Sequence, residues 1–75
     1  MILRSDGHFV IVITRGLPRL MCRGRVAGEI SCEERQFVVR VHPTMMSPVY
    51  CGRYSNLARA TASLWHHRLR AGTQE

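Results

Sequence analysis

Cysteine, histidine and arginine are the residue types in this chain whose positions could carry chemistry. Cys22, Cys32 and Cys51 are odd in number and well separated, with no Cys-x-x-Cys pair. Structural zinc sites draw paired ligands from tight knuckles, and that spacing is missing even if His42 is recruited as a further donor. Free thiols are therefore expected, with no metal and no cofactor. His66 and His67 are neighbours, so on a helix they point about 100° apart. The i, i+4 spacing that brings two imidazoles onto one ion is absent. Their expected role is a polar helix end, where cationic character suits the C-terminal dipole.

A hydrolase needs a nucleophile, a base and a group that orients the base. Glu33 and Glu34 adjoin in a turn, so they cannot flank a substrate as paired carboxylates do. No Gly-x-Ser-x-Gly elbow, phosphate-cradling glycine loop or dinucleotide fingerprint is present. A small ribonuclease-type toxin could be assembled from His42, Arg40 and Tyr54, but composition alone suggests it. The expectation is a protein that is not an enzyme.

Arginine remains. The formal net charge is +6, and every basic residue apart from histidine is Arg, with no Lys. A GC-rich genome would write Arg in place of Lys, which accounts for the missing Lys. The charge itself favours nucleic acid or acidic protein partners. It is unevenly spread: Arg35, Arg40, Arg53, Arg59, Arg68 and Arg70 form a basic C-terminal half, while Asp6, Glu29, Glu33 and Glu34 lie earlier.

The elements that must position these residues follow from hydropathy period and breakers. Seventy-five residues, 45% of them hydrophobic, predict one small domain over 1–75, with 70–75 as a frayed tail. Asp6-Gly7 reads as a turn before a strand at 8–15, which the Gly16–Pro18 breaker ends. Met21 to Ile30 alternates, with Cys22, Val26 and Ile30 on one face. Gly24 and Gly28 there signal bulges or close backbone approach. After the polar turn 31–35, Phe37, Val39 and Val41 face inward and Val38, Arg40 and His42 outward. Val49-Tyr50-Cys51 is a candidate fourth strand. From a Ser55 N-cap to Arg70 the pattern is helical, with Leu57, Ala58, Thr61, Ala62, Leu64, Trp65 and Leu69 as the apolar stripe and Gly72 as the C-cap.

These readings give an α+β fold, a three- to four-stranded antiparallel sheet with one C-terminal helix on one face (β-β-β-α) and Trp65 buried beneath it. The expected register pairs Ile30 with Phe37, Val26 with Val41, Ala27 with Arg40 and Arg25 with His42. No apolar run is long enough for a membrane span, and the first residues lack a signal-peptide layout, so a cytoplasmic setting is expected.

Arg23, Arg25, Arg40 and His42 are expected on the uncovered sheet face among Val10, Val12 and Val38, an interface-like mixture. Arg53, Arg59 and Arg70 complete the candidate binding set, the last two on the outer helix face. Single-strand readers stack bases on sheet-face aromatics, whereas Phe9, Phe37 and Trp65 map to the core side. No helix-turn-helix spacing is visible. The leading expectation is a non-enzymatic protein that docks on a larger protein or nucleoprotein complex. Phage and mobile-element inhibitors of host machines, the anti-CRISPR type among them, are of this size and character. Low-specificity nucleic-acid binding through Arg–phosphate contacts is the alternative. A homodimer would follow if the sheet valines self-associate.

Overall fold

The structure, a computed structural model, describes residues 1–71. The expected Gly72 cap and the end of the expected frayed tail lie outside the described residues, and 70–71 are helical. Six strands form one antiparallel meander in chain order: β1 (Ile2–Ser5), β2 (Phe9–Val12), β3 (Arg19–Cys22), β4 (Arg25–Glu33), β5 (Gln36–Val41) and β6 (Val49–Tyr54). Helix α1 (Leu57–His66) and the short α2 (Arg68–Ala71) follow. The fold class is α+β as expected, but the strand count is six rather than three or four. Two pairings account for the difference. Ile2–Ser5 forms a hairpin with β2 across the Asp6-Gly7 turn. The stretch from Met21 to Ile30 is divided by a reversal at Arg23-Gly24.

That reversal and the next one are two-residue turns in which both central residues have positive φ: 52° and 81° at Arg23 and Gly24, 52° and 66° at Glu34 and Arg35. This is the backbone of the turn whose twist matches paired strands. The Glu34-Arg35 turn fixes Ile30 opposite Val39, Gly28 opposite Val41 and Glu29 opposite Arg40. The expected register is displaced by two residues, because the chain turns one residue later than the polar run suggested. An even displacement keeps each side chain on its face, so Val39 and Val41 remain inward.

Register irregularities in β1, at the β3–β4 pairing and at the β5–β6 pairing bend the sheet. The one at β4 overturns an expectation. Leu20 pairs with Gly28 and Met21 with Val26, leaving Ala27 as the extra residue. Ala27 is fully buried and Val26 is 38% exposed on the other face.

Helix α1 packs on β4, β5 and β6. Its N-cap is Asn56, whose side chain accepts from the Arg59 N–H at 3.1 Å, rather than Ser55. The inward side is Leu57, Ala60, Ser63 and Leu64, while Ala58 and Ala62 are exposed. The sequence stripe was thus rotated by about one position. Ser63, which is not part of that stripe, is buried and takes the Tyr54 hydroxyl's hydrogen bond at 3.1 Å. The helix does not run through to Arg70. His67 caps it, with Nδ1 2.8 Å from the Ser63 carbonyl, and Leu69 is left 61% exposed.

Ile11, Leu20, Val39, Val41, Ala60 and Leu64 form the fully buried centre. Gly28 lets the helix come close: a β-carbon there would lie 2.8 Å from Leu64 Cδ1 and 3.1 Å from the Arg40 carbonyl oxygen. Gly28→Ala is therefore expected to lower stability by about 1–3 kcal/mol, the range for an overpacked core. Denaturant unfolding checks this, and a variant as stable as the parent would show that Leu64 can move aside.

Candidate interaction surface

With the helices on one side, the other side of the sheet is the candidate surface. Register lays out its rows: Ile2–Val12–Arg19–Glu29–Arg40–Tyr50, then Ser5–Val10–Met21–Val26, and Ser31–Val38–Arg53. These rows divide the face into two regions of different chemistry.

The β4–β6 region is ion-paired. Arg40 Nη1 donates to Glu33 Oε2 at 3.0 Å and to Ser31 Oγ at 3.1 Å, and Ser31 Oγ donates to the same carboxylate at 2.9 Å. The Arg40 guanidinium and the Ser31 hydroxyl hold the Glu33 carboxyl below the usual carboxylate range. To reach Glu33 from its position opposite Glu29, the Arg40 side chain must run along β5 across Val38. This explains how Val38, on the uncovered face, is only 1% exposed. Arg53 lies 3.9 Å from Glu34. His42 Nε2 lies 3.3 Å from Glu29 Oε2, out of line for a hydrogen bond, so this buried nitrogen has no hydrogen-bond partner among the described residues.

The β1–β3 region, with Val26 at its border, is apolar. Ile2 is 65% exposed, and Val10, Val12 and Met21 are half-buried. Its one charged side chain is Arg19, exposed and in no ion pair among the described residues.

The expected interleaving of arginines and valines is therefore replaced by segregation. Arg23 is exposed in the β3–β4 turn rather than on the sheet. Arg25 belongs to the helix side, donating to the His42 carbonyl, Thr44 Oγ1 and the Ala71 carbonyl, each at 3.1 Å. It ties α2 to the sheet and is committed to the fold. Arg40, His42 and Arg53 share the open face, but each faces an acid. Arg59 and Arg70 are exposed on the helices. These seven residues form no common basic cluster. The ribonuclease trio is also divided: Tyr54 bonds Ser63 on the helix side, whereas Arg40 and His42 face the other way. Ile2, Arg19 and Met21 are the surface residues that sequence reasoning missed, and the Asp6-Gly7 turn was the signal that a strand precedes it.

A second feature lies where the helices meet the β1–β2 turn. Trp65, expected in the core, is half-buried at its edge, with the Arg68 guanidinium 4.3 Å and the Arg4 guanidinium 5.3 Å from its ring centroid. Arg68 Nε donates to Asp6 Oδ2 at 2.8 Å, and Asp6 Oδ1 accepts from the His8 and Phe9 N–H groups at 2.9 and 2.8 Å. Beside this cluster, a groove of about 430 Å³ opens between β1 and α1. Among the described residues, no three His, Cys, Asp or Glu side chains converge as metal ligands, and no helix is long and apolar enough to cross a membrane. Cys22, Cys32 and Cys51 are free thiols. Comparison with protein-family models, with curated proteins and with solved structures finds no match to this chain.

The Asp6 contacts make stability depend on pH. Hydrogen bonds from the Phe9 N–H, Arg68 and the His8 N–H hold its carboxyl far below the ordinary carboxylate value. The resulting stabilisation is fully present above the unfolded-state value, about 4, and is lost progressively as pH falls below it. Asp6→Asn keeps an acceptor for the turn and removes the charge. Denaturation midpoints are expected to differ most from the parent at pH 7 and to draw together progressively as pH falls below about 4, with part of the difference still present at about pH 2.5 because the folded carboxyl titrates lower still; parallel curves would show that Asp6 is uncoupled from folding.

Proposed function

We propose that this chain is a non-enzymatic interaction domain that docks the β1–β3 region of its open sheet face on a larger protein or nucleoprotein complex. Small phage and mobile-element inhibitors of host machines, including those that block CRISPR effector complexes, are the class this reading points to, acting in the cytoplasm of a bacterial cell. The observation that carries it is the segregation of the open face. Where charges occur at β4–β6 they are ion-paired within the chain, and where apolar side chains occur at β1–β3 the described residues leave them half-buried or exposed. Ile2, Val10, Val12, Met21 and Val26 stand on paired strands, so little ordering entropy opposes their burial by a partner. Arg19 within this patch and Arg23 at the adjoining turn form no ion pair among the described residues, and Arg is enriched at protein interfaces. The complementary partner surface is apolar with an acidic border, and the net charge of +6 speeds the encounter.

Nucleic-acid binding is the second reading. Arg15, Arg19, Arg23, Arg35 and Arg59 are exposed and form no ion pair among the described residues, so they are available to phosphates. They point from turns, sheet and helix in different directions, and the apolar patch offers no aromatic ring for a base to stack on.

The test is a cross-linking capture from a bacterial host, comparing the parent with an Ile2→Asp, Arg19→Glu, Val26→Asp triple variant and with Arg59→Glu. The triple variant is expected to lose the captured partner while its melting point stays close to the parent's, because all three side chains are exposed. Arg59→Glu is expected to weaken capture only at low salt, as long-range attraction does. Retention of the partner by the triple variant overturns the assignment. Retardation of bare DNA or RNA with a steep salt dependence would favour the second reading.

A further inference from the structure

The groove beside α1 carries an inference separate from the docking face. Leu3, Ile13, Pro18, Leu57, Ala58 and Ala62 line it with Thr61 and Arg4. Its origin is local. The register shift between Ile2 and Arg4 makes Leu3 the extra residue of β1, and both Leu3 and Arg4 line the groove. On the opposite wall Ala58 and Ala62 are four residues apart on α1, so one helical face presents two methyl groups where larger side chains would close the gap. The volume, about 430 Å³, is within the usual range for small-molecule sites, roughly 300–1,000 Å³.

The lining restricts what can enter. Thr61 Oγ1 donates to the Leu57 carbonyl at 2.9 Å, so its proton is already used. Arg4 is exposed, has no carboxylate partner among the described residues, and lies 5.3 Å from the Trp65 ring centroid. The occupant must accordingly be apolar along its length and anionic at one end. A peptide would bring an amide pair per residue, and the side chains lining the groove offer only the Arg4 guanidinium as a donor and the Thr61 oxygen as an acceptor to satisfy them. An alkyl carboxylate makes no such demand. We propose that this groove binds a medium-chain alkyl carboxylate, with the chain along Leu3, Ile13, Pro18 and Leu57 and the carboxylate on the Arg4 guanidinium.

Trp65 is the chain's one tryptophan, so its emission reports events at Arg4. The full chain is titrated with decanoate below its micelle concentration, following Trp65 fluorescence and, independently, heat of binding. Acetate supplies the charge without the chain, and decanol the chain without the charge. Saturable one-to-one decanoate binding is expected, with no binding of acetate and decanol weaker by roughly tenfold or more, the order expected for a charge-assisted contact. Arg4→Gln is expected to bring decanoate down to the decanol affinity. Ala62→Phe, a change at an exposed helix position that fills the groove, is expected to abolish binding while circular dichroism and melting remain those of the parent. Unsaturable partitioning, equal affinity for decanol and decanoate, or undiminished binding in folded Ala62→Phe would each overturn the proposal.

Discussion

One short helix must close a sheet wider than itself. Ten residues of α1 make a rod about 15 Å long and 10 Å across, whereas six strands span roughly 24 Å in the pairing direction. The helix therefore lies on β4 to β6, and the chain uses two devices to extend its reach. Register shifts bend the sheet, and small residues at the contact, Gly28 and Ala60, let helix and sheet come close enough for Leu64 to be fully buried. The groove is the seam where this closure falls short, between β1 and the alanine side of α1.

The uncovered face is shaped by hairpin geometry. Because β4 turns directly into β5 and β5 pairs with β6, acids that precede the basic half in sequence come to lie beside its basic side chains. Glu33 meets Arg40, Glu29 meets His42, and Glu34 meets Arg53. Exposed pairs of this kind contribute little each to stability, but the Arg40 stem shields Val38, and the pairing leaves that region nearly neutral. The positive charge that remains available among the described residues is carried by turns, strands β1 and β3, and the helix.

How much of this was legible in the sequence depended on the range of the interaction. The inward alternation of Phe37, Val39 and Val41, the turn chemistry at Asp6-Gly7 and the C-terminal helix are local patterns, and they were read. The close approach at Gly28 was anticipated because glycine in a strand has few other reasons to persist. The division at Arg23-Gly24 is masked in the sequence because the alternation of Cys22, Val26 and Ile30 runs across it. Parity arguments fail at a bulge, so Val26 was assigned inward and turned outward at Ala27. Arg25 was placed on the open face for the same reason, and its true partners, the His42 and Ala71 carbonyls, are up to 46 residues away. The helical stripe was rotated because Ala, Ser and Thr carry little hydropathy contrast, so tertiary contact rather than composition set which of them faced in.

The meander order also has a kinetic meaning. Every strand pairs with its immediate neighbour in the chain, so the sheet assembles through short loop closures, each with a small entropic cost. The contacts that close over long distances belong to the C-terminal segment: Arg25 to the Ala71 carbonyl across 46 residues, and Arg68 to Asp6 across 62. The hairpins can therefore form before α1 and α2 dock on them. Through that interval the inner face of the sheet, with Ile11, Leu20, Val39 and Val41, has no cover, and protection of the chain from aggregation falls to whatever binds it until the helices dock.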